Sequence, residues 1–215
     1  MKFILFILGL ACTLQSAVAE NRPSIPGYAF GSDELRTAPF TLADLETLQA
    51  TVLFTEEDAK WLRKSKAVLA PQAEDILDTW YGFVGNTPHL LYYFNDKSGK
   101  PDGEYLARVR ARFIQWIYDS ADADYGQDWL NYQYEIGRRH HTVGKNKTDN
   151  ATGPKIIPMR YVLGLVYPVT ATLKPFLANS DYSAEDVDAM HQAWTKTVLM
   201  QAILWSYPYT KKGDF

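Results

Sequence analysis

The sequence has a single cysteine, Cys12, and it sits in an N-terminal apolar stretch. Lys2 precedes the run from Phe3 to Ala11, and Ala17-Val18-Ala19 gives the small-residue pattern of a cleavage site, so residues 1–19 read as a signal peptide. The run is shorter than the roughly 20 apolar residues that a membrane span needs. Lipid attachment at Cys12 is disfavoured, because Gly9 fits such a site poorly. The mature chain, residues 20–215, then has no thiol, which excludes disulfides, thiolate metal centres and cysteine nucleophiles together. An exported domain of this kind, periplasmic or secreted, rests on core burial, and the chain is long enough for one substantial core.

A strong charge of either sign is also lacking. The formal balance is −3, and it becomes −4 when Lys2 is removed with the leader, too modest to attract nucleic acid or anionic lipid. There is no HExxH pair, no GxSxG elbow, no glycine loop suited to phosphate and no close Asp/His set for zinc. Alternating strand patterns and internal repeats are absent as well. Asn146-Lys-Thr148 and Asn150-Ala-Thr152 match the glycosylation pattern, which matters only in a eukaryotic secretory pathway.

Aromatic residues, by contrast, are abundant. Six Trp, fourteen Tyr and ten Phe point to a large packed core, a density that in some proteins also serves a flat aromatic ligand. Pro23, Pro26, Gly27, Gly31 and Pro39 prevent a regular element near the start, while Tyr28, Phe30 and Phe40 imply that this segment packs on the body. Thr41 can cap a short helix bearing Leu42, Leu45 and Leu48, and Thr55-Glu-Glu-Asp58 resembles a capping box for the next. Pro71 opens a helix with Ile76, Trp80 and Phe83 on one face and Leu77, Tyr81 and Val84 on the adjoining one. Pro88 starts a short apolar turn to Phe94. Leu106, Val109, Phe113 and Ile117 then form a helical stripe punctuated by Arg108, Arg110 and Arg112.

A further helix, Asp128 to His141, precedes a polar, irregular stretch over 145–158. The spacing predicts a long helix over 159–179 bent at Pro168, and a last helix capped by Ser183 with its face on Val187, Met190, Trp194, Val198, Ala202 and Trp205. The sum is one all-α domain of seven or eight helices.

Half of the four histidines end the Asp128–His141 helix. A histidine at the rim of an apolar pocket is how a helical protein holds a haem iron. Arg138-Arg139-His140-His141 also complements a helix dipole with no ligand at all, so position alone leaves His140 as iron ligand, helix terminus or core residue. His141 is turned by about 100° from His140, so one pocket takes only one of them. His89, at a helix start, is expected at the surface, and His191 in packing with a satisfied hydrogen bond.

Five strings carry more than composition does: Ile76-Leu-Asp-Thr-Trp-Tyr-Gly-Phe-Val-Gly85, His89-Leu-Leu-Tyr-Tyr-Phe94, Tyr132-Gln-Tyr-Glu-Ile-Gly137, Arg139-His-His141 and Leu204-Trp-Ser-Tyr-Pro-Tyr209. In this order they closely resemble the protoglobins, single-domain relatives of the globin domains of globin-coupled sensors. The similarity runs from about Ile25 to Phe215. It implies an enlarged globin fold with an extra N-terminal helix and extension, holding haem b. It implies iron ligation by His140, whose other ring nitrogen donates to a carbonyl near Ile136. Trp80 and Tyr81 fall on the distal side, Tyr81 either donating to bound ligand or packing with its hydroxyl satisfied elsewhere. Phe94 falls against the porphyrin and Phe113 on the distal face, while Arg112 faces a propionate or else solvent.

Leu165 and Val169 stand where the family pattern has Phe and Ile. Smaller side chains there widen the distal cavity or a tunnel, which implies faster CO entry. The resemblance further implies a homodimer formed through the last two long helices, and reversible binding of O2, CO or NO. The alternatives are a haem enzyme for NO dioxygenation, nitrite reduction or peroxidase-like chemistry, with a separate redox partner, and a stand-alone gas sensor.

Overall fold

The structure is a computed structural model describing residues 24–211 and 213–215, so the leader expected over residues 1–19 and Cys12 lie outside the described residues. Among the described residues there are nine α-helices and three short 3-10 turns, with one isolated bridge between Asn95 and Pro101 and no strand. The helices are α1 Leu42–Thr51, α2 Glu56–Leu69, α3 Ala73–Gly85, α4 Pro88–Leu91, α5 Gly103–Asp122, α6 Gln127–His140, α7 Met159–Gly164, α8 Val166–Leu177 and α9 Ala184–Ser206. None of them is long and apolar enough to cross a membrane.

Local chemistry sets the helix starts. Thr41 and Thr55 each accept from the amide three residues on, and Asp44 and Asp58 reach back to the cap amides, completing two capping boxes. Asp102 and Ser183 cap α5 and α9 in the same way with one bond each. The helix expected over 159–179 is divided at Leu165, not bent at Pro168. Pro168 has no amide to donate to Gly164, and its ring crowds that carbonyl, so the helix breaks one turn before the proline. That division and the single turn α4 raise the helix number above the seven or eight expected.

Helix α9 is the axis of the domain. It packs against α2, α6, α7 and α8. The expected stripe of Val187, Met190, Trp194, Val198 and Ala202 is buried, but so are Ala193, Thr197, Met200, Gln201 and Leu204 from other faces. Small and amide side chains make this all-round burial possible, because their polar atoms find partners. Gln201 accepts from Trp116 Nε1 at 2.5 Å and donates to Ser120 at 3.1 Å, so the buried amide of this helix is satisfied.

The segment before α1 packs on this body as its aromatics implied. Tyr28 and Phe30 meet Tyr132 edge-on at 5.3 and 5.6 Å, and Phe40 joins a second core with Leu45, Trp129, Leu130 and Leu204. Two arginines hold it down. Arg112 donates to Pro26 O and Arg139 to Gly27 O, each at 2.7 Å. Gly27, at φ 75°, is needed twice over: a Cβ there would sit 2.5 Å from Thr148 Cγ2 and 2.7 Å from Arg112 Nη1.

Candidate functional site

A cavity of about 240 Å³ opens between α3, α5, α6, α7, α8 and the end of α9. The other pocket described, under α3 and α5, holds about 10 Å³, the space of a single water. The large cavity is mostly apolar, lined by Val84, Leu90, Val109, Ile136, Val162, Val166, Val198 and Ala202 among others. It brings together Trp80, Tyr81, Phe94, Arg112, Phe113, His140, Leu165 and Val169, residues spread over 90 positions of sequence.

His140 closes α6, and its Nδ1 lies 2.8 Å from the Ile136 carbonyl one turn back. A carbonyl can only accept, so Nδ1 carries the proton and Nε2 keeps its lone pair. The imidazole is enclosed by protein, yet it retains surface that opens into the cavity. Burial holds its pKa below the ordinary value against the opposing pull of the Ile136 bond, with the charges of Lys145 and Arg139 adding to the depression. The ring is therefore a neutral nitrogen base facing an apolar space.

His141 departs from the helix with extended backbone, φ −103° and ψ 162°, and its ring meets Tyr209 edge-on at 4.8 Å. It does not line the cavity. His89 is exposed against Tyr161, and His191 Nε2 bonds the Thr170 carbonyl at 3.0 Å, each in the place its sequence context indicated.

The walls contributed by α3 and α5 are aromatic. Trp80 is buried and meets Phe113 edge-on at 5.9 Å, and Tyr81 meets Phe94 edge-on at 6.0 Å. The Tyr81 hydroxyl is buried and has no hydrogen-bond partner among the described residues. Burial raises its pKa, so it stays a phenol with a proton to donate. An unpartnered buried hydroxyl costs about 1–3 kcal/mol, so simple packing with the oxygen satisfied elsewhere is not its situation. Leu165 sits at the break between α7 and α8, and Val169 lies one turn further on.

One end of the cavity is polar, and the irregular stretch over 145–158 builds much of it. Asn146, Thr148, Asp149 and Ile157 come from this stretch to line the cavity together with Arg112 and Arg139. Arg112 is neither solvent-facing nor free: it makes a bidentate pair with Asp149 at 2.6 and 2.9 Å, with side-chain exposures of only 11% and 6%. Arg139 pairs with Glu135 at 2.9 Å. Behind them Lys145 donates to Asn146 Oδ1 at 2.7 Å and Tyr105 Oη at 2.9 Å, and burial lowers its pKa to about 8. The Asn146 amide donates to Gly153 O at 2.9 Å, so the first glycosylation sequon has its acceptor nitrogen engaged, whereas Asn150 is exposed.

Sequence reading missed Asp149, Lys145 and the site role of Trp205, whose ring stacks on His140 at 5.6 Å. The first two had no signal, being polar residues in a polar loop. Trp205 was visible as the end of an apolar stripe.

Among the described residues no group of three or more His, Asp or Glu side chains could hold a metal ion. A lone neutral imidazole in an apolar cavity suits a metal that arrives carrying its other ligands in a flat organic frame. Comparison with known proteins agrees. Residues 41–215 match the family model of the protoglobins. The globin domain of a Geobacter sulfurreducens globin-coupled sensor superposes with a TM-score of 0.61 at 17% identity, covering 78% of this chain and 98% of that one. That likeness is one of fold, and no curated protein matches the chain. The all-helical architecture is thus a globin fold, and the chain belongs to the protoglobin family, a lineage of haem-based gas binding.

Proposed function

We propose that the cavity holds a haem b through His140 Nε2 and that the protein binds O2, CO or NO reversibly. The observation that carries this reading is the pairing of two atoms on different walls. One is an imidazole nitrogen whose ring partner is already bonded, and the other is the buried Tyr81 hydroxyl with nothing to bond. When bound, haem supplies an iron with one coordination position open to a diatomic gas. The chain has no cysteine beyond Cys12, so attachment of the haem through thioethers has no residues to use, which favours the b type.

The side chains divide the work. Ile136 O fixes the His140 tautomer and raises the basicity of Nε2 by accepting from Nδ1–H. Tyr81 donates to a ligand atom that carries partial negative charge and gives little to CO, so it favours O2. Trp80, Phe94 and Phe113 exclude water from the same space. Arg112 and Arg139 supply positive charge at the polar end, suited to carboxylates, although each already has an acidic partner. As a binder the protein needs no further group. Export by residues 1–19 belongs to the same proposal. So does a homodimer through α8 and α9, where Tyr167 is 78% exposed and Leu199 is partly so.

The test is the ferrous absorption spectrum of haem-loaded protein, wild type beside His140→Ala. A five-coordinate spectrum that converts on adding CO is expected in wild type and should be lost in the variant. The same spectrum in both, or no uptake of haem, contradicts the reading. Sustained NO consumption with a reductant would move the protein from binder to enzyme.

A further inference from the structure

We propose that Trp205 is a positioning residue for His140, with its indole setting the plane of the imidazole. The inference rests on His140 as the iron ligand and adds a second determinant to the one supplied by Ile136. A hydrogen bond to Nδ1 fixes one atom of the ring but leaves the ring free to rock about the line of that bond. Something flat alongside is needed to fix the plane. The Trp205 indole lies 5.6 Å from the imidazole, centroid to centroid, at an interplanar angle of 13°.

Helix α6 holds that indole through one face. Gln133, Gly137 and His140 are spaced i, i+4 and i+7, so they share one face of the helix. Each of the three engages Trp205. Gln133 is 2% exposed, and its Oε1 accepts from the indole Nε1 at 2.8 Å. Gly137 is buried, and a Cβ there would fall 2.8 Å from Trp205 Cα and 2.9 Å from its carbonyl oxygen. The missing side chain therefore lets the backbone of α9 come onto α6 at this residue. His140 receives the ring face. Trp116 also packs on the indole, at 6.1 Å and tilted by 56°.

Packing alone explains a half-buried tryptophan, but it does not call for this arrangement. A space-filling Trp205 needs no parallel alignment with the imidazole, and its N–H needs no particular partner on the helix that carries the histidine. Gly137 ties the two together, since any side chain there displaces the indole and with it the plane it sets. The chemical consequence is a single imidazole orientation, and so a single strength of the bond from Nε2 to iron.

The measurement is the iron–histidine stretching band in resonance Raman spectra of haem-loaded, full-length ferrous protein. Wild type should give one narrow band. Trp205→Leu should shift and broaden it, and Trp205→Phe, which keeps an aromatic face without the N–H, should restore part of the sharpness. Loss of packing alone lowers thermal stability without grading the band in this order. Should Trp205→Leu fail to fold or load haem, Gln133→Met decides, since it keeps the indole and removes only its anchor. A broadened band there supports the proposal and an unchanged band overturns it. Haem-loaded Trp205→Leu with the wild-type band overturns it as well. A wild type lacking the band removes the His140 assignment itself, an outcome separate from either.

Discussion

The two sides of the cavity are finished differently. On the wall made by α6 and the end of α9 each polar ring atom with a structural task has a partner: His140 Nδ1 with Ile136 O, Trp205 Nε1 with Gln133 Oε1. On the walls from α3, α5 and the α7–α8 break, aromatic and aliphatic groups surround one hydroxyl with no partner, that of Tyr81. The first wall fixes its rings without a guest and keeps the His140 Nε2 lone pair for one, as suits a group that must hold something still. The second leaves a donor unspent, as suits a group whose partner comes and goes. Between them the arginine-rich end is complete in a third way, its cations neutralised by Asp149 and Glu135.

This contrast can be broken in order of size. The largest effect is expected at the polar end, where Arg112→Met leaves the nearly buried Asp149 carboxylate unpaired. The loss should be about 3–5 kcal/mol in chemical denaturation, and a loss below about 1 kcal/mol would mean that the end is already open to water. Next is Gln133→Leu, which orphans the indole N–H on the satisfied wall. Its cost should be about 1–3 kcal/mol in the same measurement.

Kinetics reach the other wall. Leu165→Phe adds bulk at the helix break beside the cavity, and CO rebinding after flash photolysis should slow several-fold. Unchanged or faster rebinding would remove the idea that Leu165 widens the path. The smallest effect should be on the stability of Tyr81→Phe. No hydrogen bond is lost and an unsatisfied hydroxyl goes, so the change should stay within about 0.5 kcal/mol or favour the variant. Destabilisation as large as that of Gln133→Leu would show that the two walls are not different after all.

Much of the fold could be read from the residues. The capping threonines behave as their spacing indicates, because a cap depends on neighbours within one turn. The N-terminal aromatics pack on the body as expected, although their partner Tyr132 is distant in sequence. Of the α5 stripe only Ile117 is fully buried, and Val109 and Phe113 line the cavity. The error over 159–179 was one of position. A proline acts through the carbonyl four residues earlier, so the break belongs at Leu165, and there it places a cavity residue.

The site was legible in part. His140, Trp80 and Tyr81 stood out through the family resemblance, and the structure brings them to one cavity. Asp149 stayed hidden because a loop carboxylate looks the same in sequence whether solvated or buried beside an arginine. The spacing of Gln133, Gly137 and His140 puts them on one face of α6 only once the helix and its register are in hand. What that face meets depends in turn on where α9 ends.

The most direct test of the central claim uses a chain whose only imidazole is His140. The triple variant His89→Gln, His141→Gln, His191→Gln leaves one of the four histidines. Loaded with haem and reduced, it should keep the five-coordinate spectrum and the iron–histidine band of the wild type, and both should vanish on adding His140→Ala. Loss of the band in the triple variant, or its survival after His140→Ala, would contradict the account.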